Sequence, residues 1–121
     1  MKSCITLLIA AASLWALPPA AGAHAFLDHG IPRVGDTIRA APSEVRLAFT
    51  QALEPAFSTV QVLDHDGKRV DKGDAHVERG DAAVLVVSLP PLPSGAYRVK
   101  WRVLSVDTHV TEGDYTFSIA P

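Results

Sequence analysis

The chain has 121 residues, with 11 Lys and Arg against 13 Asp and Glu, a formal net charge of -2 and an apolar fraction of 48%. At roughly 100–200 residues per domain there is room for one domain, which excludes a multi-domain enzyme. Near-balanced charge argues against a nucleic-acid binder with a basic face and against a polybasic membrane-surface protein, and this composition argues against disorder.

Met1 and Lys2 open onto an apolar run from Ile5 to Leu17, followed by Pro18-Pro19 and the small residues Ala20-Ala21-Gly22-Ala23. A short basic start, an apolar run of about 7–15 residues and a small-x-small end are the marks of a secretory signal peptide. The run is shorter than the about 20 residues that span a bilayer. We therefore expect residues 1–23 to be a signal peptide cut after Ala23 and residues 24–121 to be the mature domain, with His24 first. Removing 23 of the 121 residues leaves 98 and a net charge of -3, and takes away Cys4 and Met1, the one cysteine and the one methionine. The exported domain then has no disulfide and relies on core packing.

Alternation dominates the rest. Val45, Leu47 and Phe49 share one face of a period-two run, and Val60 and Val62 repeat the pattern more weakly. Ala82 to Leu89 is a continuous apolar run that suits a strand buried on both faces. Tyr97, Val99, Trp101 and Val103 alternate with Arg98, Lys100 and Arg102, and Tyr115, Phe117 and Ile119 alternate with Thr116 and Ser118. Turn signals lie at Gly30-Ile31-Pro32 through Ala41-Pro42, Asp64-His65-Asp66-Gly67, Gly73-Asp74, Gly80-Asp81 and Pro90 to Gly95. About seven short strands with regular turns predict an all-β sandwich or barrel. Phe49, Tyr97, Trp101 and Phe117 are expected in its core.

The mature chain carries five histidines, His24, His29, His65, His76 and His109. At a free N-terminus, His24 offers its α-amine and its ring Nδ1 to one metal ion, closing a six-membered chelate ring that no internal histidine can form. Two nitrogens suit Cu(II), which favours square, nitrogen-rich sites and heads the divalent affinity order. In Ser105-Val106-Asp107-Thr108-His109, a carboxylate and an imidazole two residues apart project from one face if the chain is extended. They lie where the long alternating strand ends, before Gly113, and strand ends are where sandwiches build sites. Asp64 to Gly67 reads as a hairpin turn with Gly67 at positive φ. It lacks the ligands of a calcium loop. His76 reads as solvated in a polar loop, and His29 as a group near the site rather than a ligand. No phosphate-binding glycine loop, His-Glu-x-x-His or Gly-x-Ser-x-Gly is present.

Three segments together resemble one family: His24-Ala25-Phe26-Leu27 after a signal peptide, Ser94 to Trp101, and Ser105 to His109 followed by Gly113 and Phe117. The chain is similar to the CopC-type copper-resistance proteins of the bacterial periplasm over essentially all of residues 24–121. The resemblance implies a seven-stranded Greek-key β-sandwich of cupredoxin-like, immunoglobulin-like topology. It implies one Cu(II) ion held by His24, Asp107 and His109, a non-enzymatic role in sequestering or handing over periplasmic copper, and a CopD-like inner-membrane copper transporter as partner. We expect a monomer with no nucleic-acid partner. Two departures stand out. Where some members place a glutamate ligand, this chain has Gln51, a poor ligand for Cu(II), so three protein residues are expected, with water, Gln51 or His29 left to complete the site. The mature chain also lacks the thioethers and thiolates that soft Cu(I) prefers. Two rival readings are a histidine-brace copper oxidase acting on a polymer, and a metal-free structural or adhesive sandwich.

Overall fold

The computed structural model describes residues 24–121, so the expected signal peptide lies outside the described residues. The strands are β1 (Leu27–Ile31), β2 (Thr37–Ile38), β3 (Glu44–Phe49), β4 (Thr59–Asp64), β5 (His76–Glu78), β6 (Asp81–Ser88), β7 (Gly95–Leu104) and β8 (Val110–Ile119), with a 3-10 turn at Pro55–Phe57 between β3 and β4. They form two four-stranded sheets, ordered β1-β3-β6-β5 and β2-β8-β7-β4. The chain changes sheet from β1 to β2, β2 to β3, β3 to β4, β4 to β5 and β6 to β7, in a Greek-key sandwich. The expected all-β class is therefore found. There are eight strands against about seven expected; β2 is two residues long, pairs in parallel with the end of β8 and is too short to carry a period.

The alternating runs form strands because one face of each can be buried. Val45, Leu47 and Phe49 of β3 and Leu85 and Val87 of β6 meet Val60 and Val62 of β4, Tyr97, Val99 and Val103 of β7 and Tyr115, Phe117 and Ile119 of β8 in a single core. On β6, Val84 to Val87 are all buried, as expected for a strand covered on both sides. Arg46 on β3, opposite Val86, pairs with Glu78 on β5, so an ion pair joins the two strands that flank β6. The hydrogen bond to Glu78 keeps the Arg46 guanidinium above its ordinary pKa.

Three features differ from the sequence-based expectation. β1 overlaps the expected turn at Gly30-Ile31-Pro32, because its Leu-Asp-His-Gly-Ile run has no alternation and is held by its antiparallel ladder to β3. β5 lies where a polar loop is expected, and His76 sits exposed on it. Trp101 is half-buried rather than enclosed like Phe49, Tyr97 and Phe117. Its indole lies across Gly113 on β8, where a Cβ would stand 2.2 Å from Trp101 Cζ2. The Asp64–Gly67 turn is as expected. Gly67 has φ +81°, and the Asp64 carboxylate accepts from the Asp66 and Lys68 N–H groups at 3.0 and 2.9 Å.

Candidate metal centre

One end of the sandwich gathers the starts of β1, β4 and β8 and the ends of β3 and β7. Residues 24–26 enter there before any strand begins, and side chains hold them. Ala25 is fully buried in the core, which only a small side chain permits between the two sheets. The Phe26 N–H donates to Thr50 Oγ1 at 3.0 Å, and the Thr50 N–H returns a bond to the Phe26 carbonyl at 2.9 Å. Thr50 Oγ1 also lies 3.4 Å from the His24 carbonyl. From the other sheet, Thr111 Oγ1 donates to the Ala25 carbonyl at 2.6 Å. His24 is left exposed on an anchored backbone.

The loop joining β7 to β8 closes on itself. The Thr108 N–H donates to the Ser105 carbonyl at 2.9 Å, and the Ser105 N–H to the His109 carbonyl at 3.0 Å. Ser105 is buried, and its Oγ lies 3.3 Å from the His109 N–H. Thr108 takes φ +69°, the left-handed region that non-glycine residues seldom occupy. The loop is tied down by the Val106 N–H to the Ala52 carbonyl at 3.1 Å and by the Glu54 N–H to the Leu104 carbonyl at 2.8 Å.

This backbone corrects the premise of the Asp-x-His reading. Residues 105–109 form a tight turn, not an extended strand end, so a shared face for Asp107 and His109 does not follow from a period of two. Gly113, expected past the end of the sheet, is inside β8. The turn does bring His109 to the anchored N-terminal segment. The His24 and His109 ring centres are 4.5 Å apart with their planes at 67°, and the Phe26 ring stands 5.8 Å from His24 on another side. Asp107 is exposed in the turn. Among the described residues no three His, Cys, Asp or Glu side chains gather as a metal-ready group; of the expected ligands, the two imidazoles are in contact. Gln51 is half-buried next to Thr50. His29 is bound through Nδ1 to Asp28 at 2.8 Å and borders a different recess with Ile31, Pro32, Arg33 and Asp36. His65 lies by Asp66 at 3.4 Å, and His76 Nδ1 lies 2.8 Å from the Asp74 carbonyl.

The ring spacing is compatible with one shared ion. Two imidazoles sharing one ion, with metal–nitrogen bonds of about 2.0 Å, have ring centres roughly 4.4 Å apart at right angles and about 6 Å apart when opposed. The observed spacing falls in that span. No hydrogen bond engages either ring among the described residues. Sequence reading missed the anchors Ala25, Thr50 and Thr111. The available signal was small: Thr111 is a polar residue at an inward-phased position of β8.

A family model described as the CopC domain matches residues 27–120. Protein YobA of Escherichia coli (strain K12) is 35% identical over 102 residues, covering 84% of this chain and 82% of that protein. Copper resistance protein C of Escherichia coli is 35% identical over 104 residues, covering 80% and 82%. The crystal structure of CopC from Methylosinus trichosporium OB3b superposes with a TM-score of 0.73 at 39% identity, covering 81% of this chain and 95% of that one. With most of its length matched by the family model and by relatives of similar size, the chain belongs to the CopC family.

Proposed function

We propose that this protein is an exported Cu(II)-binding protein of the periplasm that sequesters copper or hands it on. The observation that carries this reading is the approach of the His24 and His109 rings to 4.5 Å from opposite ends of the chain. The family relationship to a protein named for copper resistance supports it. Cleavage after Ala23 would free the His24 α-amine, and the ion would be held by that amine, the His24 Nδ1 and one ring nitrogen of His109. The Asp107 carboxylate would stand in the fourth place or beside it and offset the ion's charge. An exposed site suits exchange, so the ion is cargo rather than a resident cofactor, and a CopD-like inner-membrane transporter is the partner proposed to receive it. The aromatic side chains of β3, β7 and β8 turn inward rather than forming a flat platform for a polymer, which favours binding over oxidation of a polysaccharide.

Calorimetric titration with Cu(II) tests this on three proteins: residues 24–121 beginning at His24, the same with one Gly before His24, and His109→Ala. The expected outcome is one ion per chain for the first, with binding at least about tenfold weaker for each of the others, a loss of about 1.4 kcal/mol or more. Unchanged affinity in the Gly-extended protein would exclude the chelate, and unchanged affinity in His109→Ala would exclude the pair.

A further inference from the structure

We infer that Thr111 is a positioning residue for this site, whose hydroxyl sets His24 against His109. The inference rests on the function proposed above and deepens it. Residues 24–26 precede β1, so no ladder of strand bonds holds them. Ala25 fills a gap in the core, and Thr50 fastens residues 24 and 26 to the end of β3. The Thr50 bonds tie the segment to the sheet that does not carry His109. Of the anchoring hydrogen bonds, that of Thr111 reaches across: its Oγ1 donates to the Ala25 carbonyl at 2.6 Å. Thr111 lies two residues after His109, at the start of β8, so this bond joins the residue next to one imidazole to the strand beginning next to the other.

Position 111 does not need a hydroxyl for packing. It shares the inward phase of Tyr115 and Phe117 and sits opposite Val103 on β7, where valine would fill the same shape. The donor is needed for the carbonyl. Without it, the ordering of residue 24 beside His109 must be supplied by the binding event, since fixing a residue's backbone carries an entropic cost.

The test uses residues 24–121 as wild type, Thr111→Val and Thr111→Ser, titrated with Cu(II) sulfate by calorimetry and examined by electron paramagnetic resonance. Thr111→Val should bind about 3- to 10-fold more weakly. Part of its copper should also show the spectrum of His109→Ala, because some ions are held at residue 24 alone. Thr111→Ser should restore both affinity and spectrum, which a purely structural role for the side chain would not require. Wild-type affinity and spectrum in Thr111→Val, or failure of Thr111→Ser to restore them, would overturn the positioning role while leaving the copper reading intact. Absence of copper binding by the wild type would overturn both. If Thr111→Val does not fold, Thr111→Ala makes the same comparison without the branched methyl groups.

Discussion

Replacing Asp71 with Ala removes a carboxylate with no exposed side-chain surface, although it lies in the loop between β4 and β5. Its Oδ1 accepts from the Val62 N–H at 2.8 Å, and its Oδ2 accepts from Arg69 Nη2 at 2.9 Å and from the Gly73 N–H at 3.0 Å. Val62 lies on β4, an edge strand of its sheet, so the carboxylate occupies a donor that an added strand would otherwise pair with. In Asp71→Ala that N–H, on a fully buried residue, has no acceptor, at a cost of about 1–3 kcal/mol. Arg69 is half-exposed, so its lost ion pair adds only about 0–1 kcal/mol. A loss of about 2–3 kcal/mol corresponds to a fall in melting temperature of roughly 10–20 °C for a domain of about 100 residues. Asp71→Asn keeps an acceptor oxygen for Val62 and should cost about 1 kcal/mol. Burial works against the charge on Asp71, but the bonds from Arg69, Val62 and Gly73 outweigh it and hold the carboxyl below its ordinary value of 3.8. The charge-dependent stability is therefore complete above that value and lost as pH falls through the lowered folded value. Urea unfolding should show a gap between wild type and Asp71→Asn that is constant from about pH 5 to 7 and closes below about pH 4. A melting temperature for Asp71→Ala within about 3 °C of wild type, or a gap that widens in acid, would refute this reasoning.

Two further perturbations probe β8. Gly113→Ala would place a methyl carbon 2.2 Å from Trp101 Cζ2 and 2.8 Å from Cε2 and Cη2, so the indole must swing outward at a cost of about 1–3 kcal/mol. Trp101 is the only tryptophan in residues 24–121, so its emission should shift to the red together with a lower melting temperature; unchanged emission counts against the contact. Tyr115→Phe removes a buried hydroxyl that donates to the Pro32 carbonyl at 2.7 Å, which should cost about 1 kcal/mol. Burial raises the Tyr115 phenol above its ordinary value of 10.0. Wild-type stability should therefore fall as pH rises past that value, where the unfolded chain ionises first, and fall less in Tyr115→Phe; parallel urea midpoints at pH 8 and about 10.5 would contradict this.

Strong alternation and strand placement go together. The runs at Val45 to Phe49, Tyr97 to Val103 and Tyr115 to Ile119 form β3, β7 and β8 because a period of two has one low-energy use, a strand with one buried face. β1, β2 and β5 are hidden for a common reason. Leu27–Ile31 and His76–Glu78 have mixed polarity, and Thr37–Ile38 is two residues long. Each is held by the neighbour it pairs with and by one apolar residue packed on the core, Leu27, Ile38 or Val77, too little to show as a period. Trp101 alternates in phase with Tyr97 and Val99, but only the fold shows that its cross-strand partner on β8 is Gly113 and that the ring is half-covered.

The candidate site divides in the same way, between what residue types announce and what the backbone must arrange. His24 and His109 stand out by chemistry: one by its place at an expected cleavage point, the other by its place beside a carboxylate. Nothing in their local sequence says that they meet. Their approach to 4.5 Å depends on Ala25 being small enough to enter the core, on Thr50 and Thr111 bonding to carbonyls and an N–H that no strand uses, and on a left-handed Thr108 that turns the chain. These are long-range or backbone facts, and the extended-strand argument for Asp107 and His109 fails for want of them. The same facts explain how an exposed site can be ordered. Imidazoles open to solvent have little packing beyond each other and Phe26, so ordering must also come from the backbone beneath, where buried residues and threonine hydroxyls provide it. Substitutions beneath the site, at positions 25, 50 and 111, should therefore change metal affinity by disordering the pair, and those at 24 and 109 by removing ligands; spectroscopy of the bound ion separates the two effects where affinity alone does not.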